Sequence, residues 1–431
     1  MLSFIGGFLA LQVLYHLIVT FVAYGGERIS PTMIALVRDG LRIFFCGLIF
    51  LFHRKFRGDY FKRWWKCWLA FGVLLLFGLL TSFFLFHKSP SDLLIGIKYG
   101  LWWMMILFSA TGIGFFLAKK EKKLTPIFKW IQRSLVIILI WGRVWQGSKL
   151  IFPDFFASFG YGPLDDFHFG AKPPIYYLTG FQGTLRWQGL FAWPNNYGYF
   201  LVLFLPLFLL FFPLRKQETF ALSLKKNWLS LLLISLWMLT LGATLSRSAL
   251  VGGGIALVLS QFSFLKKHKK LAWGLGFFAV LAVLAFSVLK RESSLAHLAA
   301  KWGGVMQVIE HPLGYGLGSS GPAVHHSGNL LPENYYLQLM LDLGTVGFLL
   351  WCGVMFLLGF KQKKLQQSFI EAHDAEVWKF FLALHMGFVA FLVMGLFLHV
   401  FEDSMVNYLF FVLYGMSLGC LSWRGEISDK I

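Results

Sequence analysis

The chain has 431 residues, of which 57% are hydrophobic, 19% aromatic and only 14% charged, with a mean hydropathy of +0.67. A soluble domain carries about 25% charged residues, so this composition excludes a soluble globular protein, a disordered chain, a collagen-like fibre and a disulfide-stapled secreted domain. The net charge of +19 is first of all a membrane property, because cytoplasmic loops collect Lys and Arg.

A spanning helix needs about 20 mostly apolar residues. About twelve such stretches follow one another: 3–23, 33–52, 67–86, 93–117, 127–147, 190–212, 228–245, 248–265, 271–289, 338–360, 378–401 and 405–423. The expected fold is therefore an all-α integral membrane protein, with residues 1–431 forming a single polytopic domain. The first stretch lacks a basic leader and is too long for a signal-peptide core, which makes it an uncleaved helix. Basic intervals alternate with basic-poor ones, so that about 26 Lys and Arg fall on one side and about 10 on the other. This asymmetry puts both termini in the cytoplasm. Cys46, Cys67, Cys352 and Cys420 lie in or beside apolar runs without ligand spacing and read as buried thiols.

Ionisable groups inside a membrane are functional candidates, because burying them is costly. The second stretch carries Arg38 and Arg42 one turn apart, with Asp39 spaced to pair Arg42. Lys98 lies at a similar depth in the fourth. The first long outer loop, 148–189, is rich in aromatics and ends in Arg186-Trp-Gln-Gly-Leu-Phe-Ala-Trp-Pro-Asn195-Asn196. Pro194 and Asn195 read as a turn and helix cap. Arg247 occupies the tight turn between the seventh and eighth stretches. These five cations at one level, with few acids beside them, suit a phosphate or diphosphate headgroup.

The second long outer loop, 290–337, contains Leu295, Leu298, Trp302, Val305 and Ile309 at helical spacing, which predicts a short amphipathic helix, either lying on the membrane surface or covering the bundle. His311-Pro-Leu-Gly-Tyr-Gly-Leu-Gly follows. Glycines 314, 316 and 318 alternate without a following Lys-Ser/Thr, which rejects a nucleotide phosphate loop and leaves tight turns. Then come His325-His326, too sparse in partners to define a metal site, and Pro332-Glu333-Asn334-Tyr335-Tyr336 at the start of a helix. Glu333 reads either as a helix cap or as a base.

In this order and spacing, the segments resemble the bacterial O-antigen ligase and O-antigen polymerase family. Arg186 to Asn195 is similar to the family's R-x-x-G-x-F-x-x-P-N segment, and Thr244-Leu-Ser246-Arg247 to its T-x-S-R turn. His311 to Gly316, Glu333-Asn334-Tyr335-Tyr336-Leu337 and Leu343-Gly344 are similar to its last motifs. The likeness covers roughly residues 180–350, with Arg38-Asp39 and hydropathy beyond it. It implies a GT-C-type fold of about a dozen helices in the bacterial plasma membrane. The implied reaction transfers a glycan from a polyprenyl-diphosphate carrier to an acceptor hydroxyl outside that membrane, with inversion and without metal or cofactor. Glu333, Arg247 and Arg186 would then be catalytic. Arg38, Arg42, Lys98, Asn195, His311, His325, His326, Asn334 and Tyr336 would bind substrate. Lipid A-core ligases carry His where this chain has Glu333, and a carboxylate is the weaker base unless burial raises it above about 4.3. That departure favours a polymerase or a different acceptor, or a base drawn from His325 and His326. Lys301 beside Trp302 only partly replaces an Arg common in the family.

A transporter or flippase is the alternative class, but it would place charge at the midplane on broken helices in two related halves. A cell-wall glycan polymerase shares the chemistry and fits the motifs less well. The charge asymmetry predicts that reporter fusions at residues 170 and 320 report the outer side; a cytoplasmic signal from either would overturn the topology.

Overall fold

The computed structural model describes residues 14–25, 29–51, 54–120, 125–162, 172–178, 184–211, 228–260, 291–321, 332–370, 375–402 and 406–428. These are helical almost throughout. The helices are α1 (Leu14–Gly25), α2 (Pro31–Gly47), α3 (Arg54–Leu80), α4 (Pro90–Gly100), α5 (Trp102–Lys120), α6 (Thr125–Ile151) and α7 (Pro153–Ser158). They continue with α8 (Pro194–Phe211), α9 (Trp228–Ala243), α10 (Arg247–Ser260), α11 (Arg291–Glu310), α12 (Tyr335–Ile370), α13 (Ala375–Met394) and α14 (Val406–Ser428). Two-residue strands β1 (Tyr177–Leu178) and β2 (Leu185–Arg186) form an antiparallel pair in which Tyr177 faces Arg186.

Five of these helices are long and apolar enough to cross a membrane. Several bare an apolar stripe, such as Leu69, Val73, Leu76 and Leu80 on α3, or Leu349, Phe356 and Phe360 on α12. Water does not tolerate stripes of that length, whereas lipid does. The protein is an all-α membrane protein. The predicted stretch 271–289 lies outside the described residues.

Boundaries differ from the sequence reading at several helices, α3 for one beginning at Arg54 rather than 67, and three differences matter most here. The stretch 93–117 is not one span, because α4 ends at Gly100 and α5 begins at Trp102, with the Leu101 N–H still bonded to Ile97 O. The capping box of Ser89 and Asp92 fixes the start of α4, and eleven residues are too few to cross. Lys98 is thus on the short α4. The second is 378–401, whose helix stops at Met394 before a short 3-10 turn at Val400–Glu402. The third is the "short" amphipathic helix, which is the 20-residue α11.

The chain divides into two compact units: 1–40, 125–290 and 379–394 form one, and 41–124, 291–378 and 395–431 the other. In the first, α8 is buried on all sides from Tyr199 to Leu205, as expected of a helix apolar all round. A side chain at Gly198 would press on Ala249 of α10 at 2.6 Å. In the second, α5 and α14 touch backbone to backbone. Side chains at Gly114, Gly415 or Gly419 would fall on carbonyls of the facing helix, the small-residue packing that membrane helices use.

In the same unit, α12 is broken at Gly344 (φ 70, ψ 175). The segment 312–321 docks into the break. Tyr315 N–H donates to Leu341 O (2.7 Å), and Thr345 N–H to Pro312 O (2.8 Å). Asp342 Oδ1 accepts from both the N–H and the hydroxyl of Ser320 (2.8 and 2.7 Å). Gly314, Gly316 and Gly318 all have positive φ (77, 90 and 80), so the alternating glycines make turns as expected. A β-carbon at Gly344 would stand 2.5 Å from Leu313 O. Gly344→Ala should therefore cost about 1–3 kcal/mol and lower Tm in detergent. Gly353→Ala, where nothing lies within 4 Å, should not. Equal Tm values for the two variants would refute this account of the break.

Candidate functional site

The first unit assembles the segment 185–198 and the turn 244–247. Arg186 ends β2 half-buried, and its guanidinium joins the two. Nε donates to Thr244 O (2.9 Å), and an Nη to Asn195 Oδ1 (2.8 Å). Trp187 N–H adds a third tie, to Ala243 O (2.9 Å). Asn195 therefore does not cap α8, as the sequence suggested. Pro194 opens that helix, Tyr197 N–H bonds back to Trp193 O, and the Asn195 amide holds Arg186 instead.

Thr244 hydroxyl donates to Leu241 O, and its oxygen accepts from Ser246 N–H. Between them Leu245 is forced to φ 48, a left-handed conformation that side chains avoid. The strained turn starts α10 with Arg247, half-buried, in a first turn without an acid. A cation at a helix N-terminus opposes the helix dipole. Together with the positive end of the helix dipole, it makes the start of α10 electropositive.

The second unit assembles Glu333 and α11. Asn334, not Glu333, is the cap of α12: its Oδ1 accepts from the N–H of Tyr336 (2.9 Å) and of Leu337 (3.1 Å). Its Nδ2 donates to Leu396 O (3.0 Å), so the whole amide serves the backbone. Glu333 precedes the cap at φ 48. From there its half-buried carboxylate meets His297 Nδ1 of α11. Gly304 lets α11 come this close, because a side chain there would meet Pro332 at 2.8 Å. The apolar side of α11 (Leu295, Leu298, Trp302, Met306 and Ile309) is bare, with Val305 half-buried, so the predicted stripe faces outward from the unit and suits a membrane surface.

The remaining predicted residues are placed as follows. Arg38 is buried, 4.2 Å over the Tyr15 ring, and its Nε bonds Asp39, its chain neighbour (2.9 Å). Arg42 is wholly buried in the second unit, 3.9 Å over the Tyr408 ring. Lys98 is half-buried in that unit. His311 is exposed with its ring 4.6 Å from that of Tyr315. Tyr336 packs against Trp351. His325 and His326 lie outside the described residues. The sequence reading missed His297, since a single histidine on an amphipathic helix carries no motif; the only signal was its place on the polar side of that helix.

No protein-family model matches the chain, and no curated protein is similar enough to match it.

The cap assignment has a direct consequence. Asn334→Ala should cost about 1 kcal/mol and lower Tm in detergent, while Glu333→Gln should leave stability nearly unchanged. The reverse ranking would return the cap to Glu333.

Proposed function

We propose that the protein is a metal-independent, inverting glycosyltransferase of the O-antigen polymerase or ligase type, with about twelve spans and a GT-C-type fold. It would act at the outer face of a bacterial plasma membrane on a polyprenyl-diphosphate-linked glycan. The observation that carries this reading is Arg186, whose guanidinium ties the segment through Asn195 to the Thr244–Arg247 turn. Those are two of the segments that carry the resemblance.

In the proposed reaction an acceptor hydroxyl attacks the anomeric carbon of the donor sugar from the face opposite the carrier. The new C–O bond forms as the bond to the diphosphate breaks. The negative charge growing on the diphosphate is met by Arg247 and Arg186, and the acceptor proton passes to a base, the role that the resemblance implies for Glu333. Cations fixed before the reaction stabilise such charge without reorganisation. Arg suits the role because its planar fork bonds two phosphate oxygens at once. His297 is a positioning residue for Glu333, because its Nδ1 meets one carboxylate oxygen.

The break in α12 is a further feature shared with transporters, whose broken helices coordinate ions. Here the freed groups beside it bond the segment 312–315, which accounts for the break without an ion.

The test uses purified protein in vesicles with a lipid-linked glycan, scoring transfer against movement of unchanged substrate. Arg247→Ala and Glu333→Gln should each abolish transfer in folded protein, and Arg247→Lys should rescue poorly. His297→Asn should lower kcat by about 100-fold with KM for the donor unchanged. Unchanged substrate crossing the bilayer, with no product formed, would establish a transporter instead.

A further inference from the structure

Helix α6 holds cations that the proposed reaction does not use. Arg143, Gln146 and Lys149 follow at three-residue intervals along one flank, within about 9 Å. Lys149 is fully enclosed, with 0% exposure, and its Nζ has no hydrogen-bond partner among the described residues. It stands 4.1 Å over the ring of Tyr161. Burial pushes the Tyr161 hydroxyl up to about 12, despite hydrogen bonds with Trp145 and Thr20 that lower it, so the phenol stays neutral and supplies no counter-charge.

Gln146 is likewise enclosed. Its Oε1 accepts from the N–H of Gln188 (3.2 Å) and of Gly189 (3.3 Å). That fixes the orientation of the amide and leaves Nε2 a donor without an acceptor. Arg143 lies 5.2 Å from the Trp187 ring, and its buried Nε is also unpartnered. Unpartnered beside these donors are Gln188 Oε1, His16 Nε2 and the Tyr197 hydroxyl, none of them a carboxylate. Each unmet buried donor costs about 1–3 kcal/mol, more when charged, and native structures keep few of them. Three on one helix flank, an arginine and a lysine among them, match a group rich in oxygen acceptors.

We propose that this flank of α6 is a second anion site, which binds a phosphate or carboxylate of a carrier-linked glycan. It is separate from the Arg186 constellation, because the Arg186 guanidinium bonds Asn195 and Thr244 whereas the neighbouring Trp187 ring meets Arg143. The rings of Trp187 and Tyr161 lie against Arg143 and Lys149 on this flank. The identity of the ligand rests on the proposed function, while the unpartnered state of the three buried donors does not.

Equilibrium binding to the full chain in lipid nanodiscs tests the site with three probes: a long-chain polyprenyl diphosphate, inorganic pyrophosphate, and a disaccharide containing glucuronic acid. The wild type should bind two anionic equivalents per chain. Arg247→Ala should lose one of them. Lys149→Met and Arg143→Gln should each weaken the other by at least about tenfold. If only the lipid fills the second site, it holds a second carrier-linked chain, as a polymerase requires; if the acidic disaccharide fills it, it is a glycan subsite.

One equivalent in the wild type, or two of undiminished affinity in both α6 variants, overturns the proposal and makes these donors buried groups without a ligand. Should Lys149→Met fail to fold, the half-exposed Arg143 decides through Arg143→Gln. Because binding is read without turnover, absence of glycosyl transfer would count against the proposed function alone.

Discussion

Hydrocarbon offers no hydrogen-bond partner, so a chain crossing it must satisfy every backbone N–H and C=O by itself. Helices do this automatically, and the places where the chain leaves the helix require a specific solution. Three such places among the described residues have one. The break at Gly344 is filled by the backbone of 312–315. The turn after α9 is closed by Thr244 and by the guanidinium of Arg186. The start of α12 is capped by Asn334, which also reaches Leu396. The polar side chains best placed for chemistry sit at these exits from the helix, where the backbone is already bound by specific partners.

Two of these exits store strain. Leu245 and Glu333 both adopt φ 48, a conformation that costs about 1–3 kcal/mol for residues with side chains. Strain persists only where the surroundings over-determine it, and both turns meet that condition. One lies between the Thr244 contacts and α10, the other between Pro332 and the Asn334 cap. In each case the neighbouring or strained residue carries the charge of interest, Arg247 in one unit and Glu333 in the other. A helix start that admitted several conformations would not hold those charges still, and fixed charge is what electrostatic catalysis needs.

Much of this was legible in the sequence. Hydropathy located the apolar helices, because a residue facing lipid must be apolar whatever its neighbours are. The glycines at 314, 316 and 318 read as turns for the sufficient reason that no side chain tolerates their φ. The stripe of α11 was readable from its spacing. Less legible were the single-residue roles. Pro-Asn at 194–195 reads as a cap, and only the approach of Arg186 from nine residues upstream reassigns the amide. Glu333 reads as a cap or a base, and the hydrogen bonds give the cap to Asn334 instead.

The sequence by itself determined the class of protein, its helices and the turns that only glycine permits, since these depend on solvent and on local backbone sterics. Tertiary structure alone decided which side chains meet. His297 reaches Glu333 from 36 positions away because Gly304 lets two segments touch. Lys149 and Gln146, unremarkable as letters near the end of an apolar stretch, become enclosed donors only when Tyr161, Gln188 and Gly189 fold over them. Such pairings depend on long-range packing, and an isolated stretch of sequence carries no physical term for a contact that distant residues have yet to make.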